Sequence, residues 1–299
     1  MRHLTLSGSD ALRCENHDPQ EFLPADPLTL RAMVDASVHL CDGTVQHNAD
    51  PDWETFSSDE YWRSNYAEMQ AEDQEIIGRV SLFFHKAFDG RDRAQRAIDV
   101  GSGTNLYPAL LMLPWAEQIL LTDLSESNVR WLRRHVMDDD APWTWQPFWR
   151  RMCDFEDYGQ IDEPRRHLRR ACTGLPGHAG IEQRSVFELR EASVQWQLGT
   201  MFFVAESITE DPKEFHTAID VFVGSLQPHS PFAATFMAGS HGYSVDDKPF
   251  PALSITPDDV TEQFKKLGVS ELSVELLETE KRVREGYTVM IVATGIIGS

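Results

Sequence analysis

The sequence predicts an α/β fold: a mostly parallel, doubly wound sheet with an antiparallel last strand, preceded by a helical cap. Three observations predict it. Apolar runs suited to covered strands alternate with helical patterns through most of residues 95–268. A Gly-Ser-Gly turn, Gly101–Gly103, joins the first strand to the first helix of that region. The chain closes on two strands, near Leu272 to Leu277 and Gly286 to Thr294, with only a short connection between them.

A chain of 299 residues has room for one large domain, or a domain with a cap, and needs no disulfide staple. Cys14, Cys41, Cys153 and Cys172 lie far apart with no C-x-x-C pair, so neither a zinc ribbon nor a disulfide framework is expected. No metal site is expected either. The formal net charge of −21 repels phosphate backbones, which excludes nucleic acid as a substrate class. No apolar run reaches membrane-spanning length and the N-terminus lacks a signal-peptide core, so a soluble, cytoplasmic protein is expected.

Residues 1–50 show weak periodicity, with one short helix predicted at Pro27–Asp35, and read as an arm or lid. From residue 51 to 94 a helical cap is expected. Trp53, Phe56, Tyr61, Trp62 and Tyr66 crowd together, and Ile76, Ile77, Val80, Phe83, Phe84 and Ala87 make one apolar helix face behind them. The sheet domain then runs from 95 to 299. Ala97 to Val100 is its first strand; Leu106, Leu110, Leu111 and Leu113 mark the helix after the glycine turn. Gln118 to Asp123 is a second strand ending in an acid, and Ser125 opens a helix through Val129, Leu132 and Val136.

Two insertions shaping a pocket are expected, near 138–180 and 239–256. The first is polar and rich in tryptophan (Trp143, Trp145, Trp149), and its basic stretch, Pro164 to Arg170, reads as a solvated helix face. A third strand falls near Gly180 to Val186, and Gly199 to Ala205 is apolar on both faces like a central strand. Asp211-Pro-Lys-Glu214 starts a helix whose stripe is Phe215, Ala218, Ile219, Phe222 and Leu226. Phe232 to Ala238 is a further strand, and Thr256 to Gly268 a helix with both end signals.

A glycine turn after the first strand and an acid after the second suit a nucleoside, whose ribose hydroxyls the acid accepts. A dinucleotide needs a third glycine where this chain has Leu106, whereas S-adenosylmethionine tolerates the bulky residue and uses Asp99, before the glycines, and Asp123. These features favour a methyltransferase over a dehydrogenase; a purely structural domain is the remaining alternative.

Four segments carry a family resemblance: Tyr61-Trp-Arg-Ser-Asn-Tyr66, Ile98-Asp-Val-Gly-Ser-Gly-Thr-Asn-Leu-Tyr107, Leu121-Thr-Asp-Leu-Ser-Glu-Ser-Asn128 and Phe203-Val-Ala-Glu-Ser-Ile208. Together they resemble the nicotinamide, phenylethanolamine and indolethylamine N-methyltransferases over roughly residues 53–294. The resemblance implies a Rossmann-like class I methyltransferase with a seven-stranded sheet and S-adenosyl-L-methionine as cofactor. It implies that Tyr61 and Tyr66 close over the methionine end and that Tyr107 reaches its carboxylate. Gly101, Ser102, Gly103 and Asn105 cradle the cofactor, Asp123 takes the ribose, and Asn128 lies beside the adenosine. Ser185 and Val186 fall at the adenine, with Ser185 standing where the family has an acid. Trp53, Asn65, Phe203, Glu206, Ser240 and Tyr243 fall on substrate-pocket positions.

Methyl transfer to a neutral nucleophile needs alignment in a dry pocket more than charge stabilisation. Glu206 is the candidate base or substrate anchor, and Tyr61 the other candidate catalytic residue. The expected reaction is methylation of a nitrogen on an aromatic or heteroaromatic small molecule. C-methylation of an indole ring is the closest alternative, and a non-catalytic cofactor-binding module the alternative of another class. A monomer or homodimer is expected.

Overall fold

The computed structural model describes residues 45–174, 177–191, 195–277 and 287–299. The helix expected at Pro27–Asp35 lies outside them, as does Gly286 at the start of the expected last strand.

After a short 3-10 turn at Trp53–Thr55, helices α1 (Ser58–Asn65) and α2 (Ala71–Phe88) precede the sheet. The buried stripe of α2 is Ile76, Ile77, Val80, Phe84 and Phe88; Phe83 and Ala87, expected on it, are only half-buried. Strand β1 (Ala94–Val100) leads through the glycine turn into α3 (Tyr107–Met112), then β2 (Ala116–Asp123) and α4 (Glu126–Met137). Ser125 caps α4 by accepting the Asn128 N–H, as its position before the apolar pattern predicts.

The first insertion is not a polar interruption. It folds into α5 (Gln146–Met152), α6 (Glu156–Gly159) and α7 (Pro164–Ala171), with Trp145, Phe148, Trp149 and Tyr158 buried against the sheet layer. The Tyr158 hydroxyl donates to the Leu111 carbonyl at 2.9 Å, so the aromatic body fills the core while its polar tip is satisfied. Nor is the basic stretch wholly a solvated face. Arg165 donates to the Ala141 and Asp138 carbonyls, and Arg169 to the Val136 carbonyl and the Asp139 carboxylate, which ties down the end of α4.

Strand β3 is short (Ile181–Gln183), because a 3-10 turn takes over at Val186–Glu191. Strand β4 (Leu198–Phe202) ends earlier than its apolar run, since Phe203 turns to a φ of +59°. Helix α8 (Pro212–Ser225) is capped by Asp211, which accepts the Lys213 N–H. Strand β5 (Pro231–Ala238) is followed by a two-stranded hairpin, β6 (Tyr243–Val245) and β7 (Lys248–Phe250), in the second insertion. Helix α9 (Pro257–Lys266) starts on a Thr256/Asp259 capping box, and β8 (Ser270–Leu277) and β9 (Val289–Ile296) finish the chain.

The seven strands order as β3-β2-β1-β4-β5-β9-β8, all parallel except β9, which runs antiparallel to both of its neighbours. Alternation along each strand splits the core in two. Ala97 and Leu121 pack with α2, α3 and the tryptophan helices on one face, while Ile98 and Leu120 pack with α8 and α9 on the other. Strand order reverses between β1 and β4, and a crevice opens there at the carboxyl ends of the strands.

Candidate active site

The glycine turn requires its glycines. Gly101 and Gly103 have φ of +63° and +53°, and a Cβ on Gly101 would lie 2.5 Å from Val204 Cγ2. The Gly103 N–H donates to Asp123 Oδ2 at 2.8 Å, linking the ends of β1 and β2. Asp123 Oδ1 accepts from Ser125 N at 2.9 Å and from Asn128 Nδ2 at 3.1 Å. Burial raises the Asp123 pKa above the usual carboxylate range, against these hydrogen bonds, which lower it.

Asn128 in turn accepts from Ser58 Oγ of α1 at 2.8 Å, and Ser58 also pairs with Ser127 at 2.7 Å. The helix carrying Tyr61 is thus hydrogen-bonded to the residue that holds Asp123. Tyr61 and Tyr66 meet edge to face at 6.1 Å, and Tyr61 lies 6.3 Å from Tyr243. Trp53 stacks on Phe250 at 5.3 Å, Phe250 stacks on Tyr243 at 5.6 Å, and Phe56 packs on Tyr61 at 5.1 Å. Of these rings Trp53, Phe56, Tyr61, Tyr66 and Tyr243 wall one side of a cleft of about 770 Å³, open to solvent, with Phe250 packed behind Trp53 and Tyr243.

Most of the residues singled out from the sequence meet on that cleft. Gly101, Ser102, Gly103, Asn105, Asp123, Asn128, Ser185 and Val186 line it around the glycine turn, and Trp53, Tyr61, Tyr66, Phe203 and Tyr243 line it on the aromatic side. Five stand behind the wall. Asp99 is buried in β1, accepting from Thr200 Oγ1 at 2.6 Å, and burial pushes its pKa to about 7. Tyr107 is fully buried, stacked on Phe148 at 5.5 Å, and burial with the nearby Asp73 charge drives its hydroxyl well above its ordinary pKa. Asn65 donates back to the Tyr61 carbonyl at 2.8 Å, and Ser240 is buried just beyond β5. Glu206 is also fully buried; its Oε1 accepts from Met237 N at 3.0 Å and from Ser207 Oγ at 3.2 Å.

Several wall residues escape the sequence reading. Ser207 and Ile208 follow Glu206 directly, Phe56 sits within the aromatic cluster, and Arg184 precedes Ser185, its guanidinium held by Glu182 at 3.0 Å. Each was within a residue or a few of a marked position. Phe250, which backs Trp53 and Tyr243 without lining the cleft, has no signal, because the hairpin that brings it there is a tertiary event.

Whether a nucleoside amino acid fits can be judged from atoms beside the turn. Thr104 Oγ1 and Asn105 Nδ2 are buried and have no hydrogen-bond partner among the described residues, yet both residues line the cleft. Such groups are costly unless a polar ligand meets them. A carboxylate beside the turn, with ribose hydroxyls at Asp123, meets that need. Among the described residues no group of three or more His, Cys, Asp or Glu is gathered to hold a metal ion, and no helix is long and apolar enough to cross a membrane.

A sheet of this order, with a glycine turn after β1 and a buried acid at the end of β2, is that of a class I S-adenosylmethionine-dependent methyltransferase. Residues 45–294 match the NNMT/PNMT/TEMT family, and the chain belongs to it. It is therefore an S-adenosylmethionine-dependent enzyme of an N-methyltransferase family. Among solved structures it is similar to magnesium protoporphyrin IX methyltransferase from Synechocystis PCC 6803 with bound cofactor, at 12% identity and a TM-score of 0.50, over 82% of this chain and 93% of that one. It is also similar to the N-methyltransferase NodS from Bradyrhizobium japonicum WM9 in complex with S-adenosylhomocysteine, at 10% identity and a TM-score of 0.48, over 81% and 93% of the two chains. The likeness to the Synechocystis enzyme shows the fold. No curated protein matches the sequence.

Proposed function

We propose that the protein methylates a nitrogen of an aromatic or heteroaromatic small molecule. One observation supports this above the rest: the acceptor side of the cleft is walled by rings, and among the described residues Asp123, on the cofactor side, is the only acid lining the cleft. A flat neutral ring matches such a wall; an alkylammonium ion would lack a facing carboxylate on it.

When bound, S-adenosylmethionine supplies a methyl group on a sulfonium centre. The chain's own residues do the rest. Asp123 takes the ribose hydroxyls, with Asn128 beside it, while Ser185 and Val186 adjoin the adenine. Thr104 and Asn105 face the amino-acid end. Tyr61 and Tyr66 close over the donor and keep water out, and Trp53, Phe203 and Tyr243 hold the acceptor flat. Holding two reactants about 3 Å apart in a dry site contributes several kcal/mol. Tyr107, Asp99, Asn65 and Ser240 act from behind, fixing the turn, the cap helix and the floor.

Incubation with labelled S-adenosylmethionine and a panel of pyridines, anilines and indoles, with mass spectrometry and NMR of the products, tests this. N-methylated product is expected. Methyl on an indole carbon would replace the nitrogen reading, and methyl on oxygen or on a protein side chain would overturn it. Cofactor binding with no turnover across the panel would favour a non-catalytic binding module.

A further inference from the structure

Ser207 faces the cleft with its proton already committed. Its hydroxyl donates to Glu206 Oε1 at 3.2 Å, and that same oxygen accepts the Met237 N–H of β5 at 3.0 Å. The carboxylate oxygen is thus anchored to the sheet, and Glu206 is fully buried while Ser207 lies on the cleft wall. A hydroxyl carries one proton and two lone pairs. With the proton directed at a carboxylate, what it offers the cleft is an acceptor, strengthened because the two hydrogen bonds polarise each other.

The groups around Ser207 complement that. Trp53 Nε1 donates to the Asn48 carbonyl at 2.8 Å, and the Tyr243 hydroxyl donates to the Ser207 carbonyl at 3.3 Å. Two polar hydrogens of the aromatic wall are therefore turned onto the protein. Ser207 lies among the ring faces of that wall. The turn that brings it there begins at Phe203, whose left-handed φ ends β4, and is closed by the Ser207 N–H on the Val204 carbonyl at 2.9 Å.

We infer that Ser207 selects the acceptor by accepting a hydrogen bond from an N–H on or beside its ring, with Glu206 acting through Ser207 as a positioning residue. The inference rests on the reading of the cleft as taking an aromatic acceptor. It narrows the substrate class to aromatics that carry an N–H, such as an indole, an aniline or a ring amide.

The test is calorimetric titration of indole and of benzofuran, its oxygen isostere, into the full chain saturated with S-adenosylhomocysteine. Indole is expected to bind about tenfold more tightly, the value of one hydrogen bond to a well-fixed acceptor. Ser207→Ala should bind the two alike, and Ser207→Thr should restore the preference. Glu206→Gln, whose amide oxygen can still accept both the Met237 N–H and the Ser207 proton, should keep the preference, whereas Glu206→Ala, which releases the Ser207 proton, should lose it while S-adenosylhomocysteine affinity is kept. Equal binding of the two probes by the wild type, or a preference that survives Ser207→Ala, overturns the inference and leaves the aromatic-acceptor reading standing. A protein that takes up S-adenosylhomocysteine but neither probe, and methylates no aromatic in the panel, overturns both.

Discussion

Asp123 commits most of its carboxylate to the protein before any ligand arrives. Three N–H groups, from Gly103, Ser125 and Asn128, converge on it, and a carboxylate has about four lone-pair sites. Few sites remain, aimed at the cleft. Asp123→Asn places an amide N–H against one of those donors and is expected to weaken S-adenosylhomocysteine binding at least about tenfold by calorimetry; an unchanged Kd would remove Asp123 from the ribose site. Asp99 sits one strand over and is governed by burial instead. Its pKa is raised from 3.8 to about 7, so the fold favours its protonated form. That contribution is full below pH 3.8 and is lost as pH rises through about 7. Asp99→Asn, which is neutral throughout, should gain on the wild type by about 2–3 kcal/mol between pH 5 and pH 8 in urea unfolding of the ligand-free protein. A gap that stays flat over that range would show a carboxyl ionising as it does in water.

Helix α1 is held at its first turn by hydrogen bonds and beyond its last residue by the packing of Tyr66 on Tyr107 and Trp145. Ser58 bonds Ser127 and Asn128, and Asp59 accepts from Trp131 Nε1 at 3.1 Å, so the cap is pinned to α4 at the end nearest Asp123. Ser58→Ala removes the inner fastening, worth about 1 kcal/mol. Amide exchange over Tyr61–Tyr66 should quicken about fivefold, while exchange in α8 stays unchanged; equal protection in the variant would show that ring packing alone holds the cap. The elements themselves were unequally legible. Asp211 and Thr256 announce α8 and α9 by local capping chemistry, which is a property of neighbouring residues. Residues 138–171 announce nothing comparable: α5 to α7 are short, and Trp145 and Trp149 gain meaning only from the Tyr66 and Tyr158 rings they pack beside. Local signals gave way there to tertiary packing.

At the scale of the molecule the same contrast divides the cleft. Its cofactor half is built from short consecutive stretches at strand ends, so Gly101, Gly103, Asp123 and Asn128 are readable as spacing along the chain. Its aromatic side joins Phe56 and Ser207 from two distant segments, with Phe250 from a third stacked behind Tyr243, and no spacing connects them. Charge is the one global quantity read from composition that bears on stability. A formal net charge of −21 repels itself across the fold, whereas many of the ion pairs, such as Arg63–Glu60 and Arg166–Glu163, are exposed and span single helix turns. The repulsion acts over long distances and the pairs over short ones. The Debye length falls from about 30 Å at 0.01 M to about 8 Å at 0.15 M salt, which screens the long-range term first. Raising sodium chloride across that interval should therefore increase Tm by a few degrees, with most of the gain complete by 0.15 M. A Tm that falls over the same interval would mean that the paired charges, and not the acidic excess, dominate the electrostatic free energy of this fold.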